Sequence, residues 1–241
     1  MYRTLFKVFA VFLVILIALS STLASWLVVL IFAIHDIDMW VRYSRAECIS
    51  VSRLPPFAVI KIADCGETLE DIVDHAKERI SKLRSIAEKR PSMVLEANMH
   101  FRRYLDPDEA LRIVEDYNLT VTWYSTVYFN PKGEYIAASS GIVRSYEELK
   151  SAISGARVSV AHIPDIKIKV EGFVVKANAT TLVKLQDHPL VFLVDPGPID
   201  MIMGMKALGY RYIDMRWTHP PGYMLSFAYW KLNRTELPKV R

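Results

Sequence analysis

From Val8 to Ile34 the chain carries no charged residue, and only beyond that run do apolar and polar positions begin to alternate at helical or strand periods. A helix crossing a bilayer needs about 20 consecutive apolar residues. The run therefore predicts one transmembrane anchor, with residues 1–38 forming a short cytoplasmic tail and the span. Arg3 and Lys7 precede it, and His35, Asp36 and Asp38 follow it. A cleaved signal peptide is the competing reading, since Ala18, Ser20, Thr22 and Ala24 are small. Its apolar segment would be only about 7–15 residues long, and cleavage there would leave Trp26–Phe32 as a greasy leader on the mature chain. Two further readings bury the same apolar helix in the core of the fold or pack it in the core of a filament.

Residues 39–91 predict a membrane-proximal unit. Met39 to Arg53 is mixed, Pro55-Pro56 marks a break, and Phe57–Ile62 is a strand. Thr68 with Asp71 forms a capping box ahead of Leu69, Ile72, Val73, Ala76, Ile80, Leu83 and Ala87, whose spacing predicts a long amphipathic helix ending before Pro91.

Residues 92–163 predict a first α/β module: strand from Met93 to Phe101, helix opened by Asp106-Pro107-Asp108-Glu109, and strand from Val121 to Phe129. A turn at Asn130–Gly133 leads to a further strand over 134–139, and Ser145–Glu148 caps a short helix. In the strand around Val121, Thr122, Tyr124, Thr126 and Tyr128 share one parity, which places a hydroxylated face opposite an apolar one.

Residues 164–241 predict a second module. The apolar phase of Ile166, Ile168 and Val170 flips to Phe173 and Val175 at Gly172, which predicts a bulge. A helix over 180–186, a buried strand over 190–194, a helix from Pro198 closed by Gly209, and a final hairpin of 210–217 with 223–232 follow. Strands alternating with short helices indicate an α+β body.

Cys48 and Cys65, with sixteen residues between them, are expected to form a disulfide, which in an oxidising compartment would stabilise by roughly 3 kcal/mol. Two buried thiols are the plainer alternative. Asn118, Asn178 and Asn233 each open an N-x-[ST] sequon and are candidate glycosylation sites. Both features favour an extracytoplasmic body on the C-terminal side of the anchor.

The formal charge of +4 falls to +2 once Arg3 and Lys7 are set aside, and the remaining cations are interleaved with acids. Without clustered positive charge the chain has no nucleic-acid groove. A single glutamine, Gln186, beside plentiful Lys, Arg and Glu is the composition of a hyperthermophile protein, which points to an archaeal source.

No catalytic motif stands out. The six histidines lack metal-ligand spacing, the cysteines form no C-x-x-C, and phosphate-binding and nucleophile-elbow motifs are missing from the sequence. No cofactor or metal is therefore expected. Asp195 in Asp-Pro-Gly-Pro, with Arg216 and His219 in Arg-Trp-Thr-His-Pro-Pro-Gly, would be an enzyme's residues if they converged; separately they are turn formers. The Thr122/Tyr124/Thr126/Tyr128 face suits protein or glycan contacts. Met201, Met203, Met205, Met215 and Met224 are core filler or an adaptable binding surface.

Val170 to Asp195, about a tenth of the chain, carries a Gly-Phe strand, a short helix ending in Leu-x-x-x-Pro-x-Val and a strand ending in an acid. It resembles the second half of the propeptide and inhibitor module of subtilisin-type proteases. The resemblance implies a ferredoxin-like α/β sandwich, in one copy or two related modules, and a protease-inhibitor alternative for function. The expectation from the residues is a membrane-anchored, non-enzymatic envelope protein. Its partners would be lipid through residues 8–34 and envelope proteins or its own copies.

Overall fold

The computed structural model describes Ser20 and residues 41–43, 46–54, 56–66, 68–159, 165–219 and 221–240. The apolar run of 8–34 lies outside them apart from Ser20, and among the described residues no helix is long and apolar enough to cross a membrane.

Among the described residues the body is α+β, with two sheets and six named helices. Sheet A contains β1 (Val41–Arg42), β2 (Glu47–Leu54), β3 (Phe57–Asp64) and β9 (Tyr212–Trp217), in that order. β2 and β3 form an antiparallel hairpin closed by Leu54 opposite Phe57, and β9 joins β3 in parallel. Cys48 on β2 is bonded to Cys65 just beyond β3, so the expected disulfide ties the two ends of this hairpin.

Sheet B runs in the order β6 (Tyr135–Ile142), β5 (Thr120–Phe129), β7 (Lys167–Asn178), β4 (Val94–Leu105), β8 (Val191–Asp195), every neighbour antiparallel. Strands of 92–163 and of 164–241 thus interleave in one sheet. A ferredoxin-like unit brings its first and third strands together at the centre. Here β4, β5, β7 and β8 run in the order β5-β7-β4-β8, which puts the first and third of these four at the centre, and β6 adds an edge beside β5. The two twelve-residue strands, β4 and β7, are buried on both faces through their middles, and their mutual pairing sets the order.

One face of sheet B is covered by α2 (Pro107–Asp116), α3 (Tyr146–Ser159), α4 (Ala179–Gln186) and the C-terminal half of α1 (Leu69–Lys89). Leu83, Leu111, Val114, Leu149, Ile153, Leu182 and Leu185 close on Leu95, Ala97, Met99 and Phe101 of β4 there. A second cluster joins Ile72, Ala76 and Ile80 of α1 to Phe192 and Leu193 of β8 and to Met224, Leu225 and Ala228 of α6 (Tyr223–Leu232). A third packs α5 (Ile199–Ala207) through Met201, Ile202 and Met205 onto sheet A. The methionines are thus filler: Met205 and Met224 are buried, and Met201, Met203 and Met215 pack partly buried against the clusters.

Local signals account for most elements. Thr68 Oγ1 accepts from the Asp71 amide at 3.1 Å and Asp71 Oδ2 from the Thr68 amide at 3.1 Å, a complete capping box at the start of α1. Asn178 caps α4 by accepting from the Thr181 amide at 2.8 Å. Asp106 precedes α2 without capping it, and its carboxylate receives Lys169 Nζ at 2.8 Å instead.

The expected final hairpin does not form, because residues 223–232 are a helix and β9 pairs with β3 in the other sheet. Met224, Leu225 and Ala228 fall on one helical face over β8, while Tyr229 meets Tyr104 and Phe129 edge to face at 6.0 and 6.1 Å.

The bulge at Gly172 is present. Both neighbours of β7 pair with Val170 and then with Gly172, leaving Glu171 out of register. The gap lets the start of α6 approach closely. A Cβ on Gly172 would stand 2.5 Å from the Gly222 nitrogen, and one on Gly222 (φ +88°) would stand 2.3 Å from the Glu171 carbonyl oxygen. We expect Gly222→Ala to destabilise by about 3 kcal/mol or more. Gly133→Ala, with a similar φ of +83° but open space around it, should cost only about 1 kcal/mol. Urea midpoints of the two variants check the contrast.

Candidate functional site

Between the two sheets lies a buried polar cluster built from β2, α1, β4, β8 and the loop after β9. Its centre is Arg79, fully buried on α1 one turn after His75. The periodicity that makes α1 amphipathic turns both side chains inward, and the long guanidinium reaches both sheets. Arg79 Nη2 donates to Glu47 Oε2 of sheet A, Nη1 donates to the Gly197 carbonyl at 3.4 Å, and Nε lies 3.5 Å from Asp195 Oδ1 of sheet B. The guanidinium also sits 4.9 Å from the centroid of the Tyr43 ring.

Asp195 is engaged at both oxygens. Oδ1 accepts from the Gly197 amide at 2.7 Å, and Oδ2 lies 3.3 Å from His75 Nε2. Burial alone would raise its pKa. The Arg79 charge, the His75 contact and the Gly197 amide together hold it well below the usual carboxylate range.

Alternation along β4 sends Asn98 and His100 to the side opposite the main core, toward this cluster. Burial pushes His100 down to about 4, against the pull of Asp195 and with a further push from His75, so its ring is neutral at physiological pH. Asn98 Oδ1, His100 Nδ1 and Trp217 Nε1 are buried without a hydrogen-bond partner among the described residues. All three residues line one cavity of about 10 Å³, shared with Glu47, His75, Asp195, His219 and Tyr223. That is room for about one water molecule, which needs two to four polar partners.

The expected enzyme constellation is not assembled. Asp195 and His219 border this cavity, but Arg216 points away and donates to Asp214 at 2.7 Å on the exposed side of β9. His219 stacks on Tyr223 at 4.1 Å, and its pKa is lowered by burial. Among the described residues no three His, Cys, Asp or Glu side chains converge as a metal site.

The expected hydroxylated recognition face is also not open. Thr126 is fully buried and donates to the Ser139 carbonyl at 3.2 Å, and Tyr128 is buried beside Ile168. Thr122 and Tyr124 are half-buried, Thr122 donating to the Val174 carbonyl at 3.4 Å and Tyr124 lying over Gly141. Register shifts after Val121 and Ser125 break the simple alternation, and α-helices cover what would have been a free face. Asn118, Asn178 and Asn233 are all exposed, the first and last in the left-handed conformation at φ 49° and 51°.

Glu171 forms a second buried polar centre. Its carboxylate accepts from Ser125 Oγ at 3.1 Å and from the Ser226 amide of α6 at 3.2 Å. Burial raises its pKa to about 7 against those bonds. Sequence reasoning passed over Glu47, His75, Arg79, Asn98, His100 and Glu171 as functional residues. The only available signal was parity: His75 and Arg79 share the apolar face of α1, and Glu171 adjoins the phase flip at Gly172.

Among the described residues a groove of about 610 Å³ lies between α1 and α5, lined by Ile86, Met93, Ile199 and Met203 together with Glu78, Lys82, Lys89, Arg90 and Asp200. Small-molecule sites span about 300–1,000 Å³. Compared with protein-family models, curated proteins and solved structures, the chain matches none.

The two buried centres oppose each other in pH. Folded Glu171 keeps a proton that the unfolded chain releases above about pH 4.5, so its contribution to stability falls as pH rises from 4.5 to about 7. Folded His100 refuses, down to about pH 4, a proton that the unfolded chain takes up below 6.5, so its contribution falls as pH drops. Each effect is on the order of 3 kcal/mol. Urea midpoints measured across that range should be nearly flat for the parent between the two ordinary values. They should rise with pH for Glu171→Gln and fall with pH for His100→Asn.

Arg79→Met is expected to lose about 3–5 kcal/mol, because Glu47 and Asp195 stay buried without their shared cation. A loss under about 1 kcal/mol, the size of a surface ion pair, would contradict this arrangement.

Proposed function

We propose that this chain is a membrane-anchored protein of the cell envelope, held by residues 8–34 with its body on the extracytoplasmic side, and that the body binds or builds rather than catalyses. The observation that carries the reading is the Cys48–Cys65 disulfide in the sheet that directly follows the apolar run. Disulfides accumulate in oxidising, exported compartments. The outward placement of all three sequon asparagines agrees with it.

The non-catalytic part rests on the character of the polar cluster. Glu47, Asp195 and His75 line a cavity of only about 10 Å³, which admits no substrate, and the bonds of Arg79 to the two carboxylates run from one sheet to the other. The groove between α1 and α5 offers a surface for an envelope partner or a second copy.

The experiment is topological. Right-side-out membrane vesicles carrying the full chain are treated with a membrane-impermeant reductant and then with a maleimide-linked polymer. The expected result is a protein resistant to alkaline carbonate extraction that gains two adducts only after reduction. Labelling that requires permeabilised vesicles, or recovery of the chain in the carbonate supernatant, would refute the placement.

A further inference from the structure

The end of sheet A that carries the β2–β3 turn has an unusual surface. Phe57 and Tyr212, paired across β3 and β9, stack at 5.0 Å while remaining 53 % and 60 % exposed. Leu208, between α5 and β9, is 76 % exposed at the same end, since α5 runs down to Gly209 and the Arg211 and Tyr212 amides both donate to the Pro56 carbonyl. Exposed apolar groups of this size, brought together by tertiary structure, mark a surface that meets something apolar.

Charge is sorted at this end as well. Residues 50–63 and 201–213 contain Arg53, Lys61, Lys206 and Arg211 and no Asp or Glu. Arg53, Lys206 and Arg211 are exposed. The nearest acid along β9, Asp214, is held by Arg216 at 2.7 Å. Among the described residues this end of sheet A therefore combines exposed aromatic, aliphatic and basic side chains.

The register of β1 says what lies against it. Val41 opposes Ile49 and Arg42 opposes Cys48 in antiparallel pairing. The chain therefore enters β1 from the side on which β2 climbs to Leu54, five positions or roughly 17 Å further along. The uncharged run of 8–34 precedes that entry by only a few residues. Aromatic rings at headgroup level and Lys/Arg against anionic lipid are the two recurrent marks of a protein surface resting on a bilayer.

We propose that this end of sheet A, with Phe57, Leu208 and Tyr212 as its apolar contacts and Arg53, Lys206 and Arg211 as its cations, lies on the anionic lipid surface into which the leading segment inserts. The contact rests on the membrane-anchored reading above and adds an orientation to it. The body is not tethered loosely but docked, with the β2–β3 turn against the headgroups and the groove between α1 and α5 held at a fixed attitude to the membrane.

The full chain is reconstituted in phosphatidylcholine vesicles with and without phosphatidylglycerol, using lipids brominated near the headgroup end of the acyl chain. The emission added by Phe57→Trp is compared with that added by Ile142→Trp, at an exposed position on the edge strand β6. For a side chain lying in the interface the expected result is an about twofold loss of the Phe57→Trp emission in the anionic vesicles. That loss should be relieved by high salt or by the added pair Arg53→Gln and Arg211→Gln, with no loss for Ile142→Trp. Slower amide exchange over 206–213 in anionic than in neutral vesicles, in the unaltered chain, reads the same contact without a substitution. Unquenched emission and unchanged exchange, in a chain that stays with the vesicles through carbonate, would overturn the docking alone. A chain released by carbonate would overturn the anchor and the docking with it.

Discussion

A single buried guanidinium holds this body together. Arg79 touches both Glu47 of sheet A and Asp195 of sheet B, and it does so from a helix belonging mainly to sheet B. Removing such charges from water costs several kcal/mol per ion, which only good geometry and further hydrogen bonds offset. Here the offsets are present: the Gly197 carbonyl, the Gly197 amide, His75 and the Tyr43 ring. An apolar contact between the sheets would tolerate sliding, whereas two carboxylates sharing one planar cation fix both the distance and the angle between sheets.

The second constraint is geometric and lies at Glu171. Skipping one residue of β7 on both sides opens the place where two glycine backbones meet, and the same skip turns a carboxylate toward the amides of α6. α6 is apolar on nearly all sides and has little intrinsic reason to start where it does. Its beginning is set by Gly222 in the left-handed conformation and by Glu171 accepting from Ser226. Bulge, glycine pair and buried acid are thus one device, and it explains why a segment with strand-like composition becomes a helix.

Most of the local structure was legible in the chain. The capping box at Thr68, the Asp106-Pro107 start, the turn at Asn130 to Gly133, the phase flip at Gly172 and the closing Gly209 are short-range signals that survive in the fold. What could not be read was non-local. Nothing in 212–217 announces a parallel pairing with Phe57–Ile62, and nothing in Thr122–Tyr128 reveals two register shifts that bury Thr126 and Tyr128. The polar cluster was hidden for the same reason. Its members come from positions 47, 75, 79, 98, 100 and 195, each ordinary in its own window, and only sheet order makes them neighbours.

The disulfide and the clamp act on the same sheet from opposite directions. Cys48 and Cys65 bind the far ends of the β2–β3 hairpin, while one residue earlier on β2 Glu47 is drawn into the cluster beneath α1. The hairpin is therefore fixed at its base both covalently and ionically, and its other end, with Phe57 and the exposed arginines, projects as a stiff lever. A two-stranded ribbon alone is marginally stable in water. Anchored at the base and flanked by β9, it can present aromatic side chains to a surface without losing its own order. Sheet A is thus held to the larger body at the base of its hairpin.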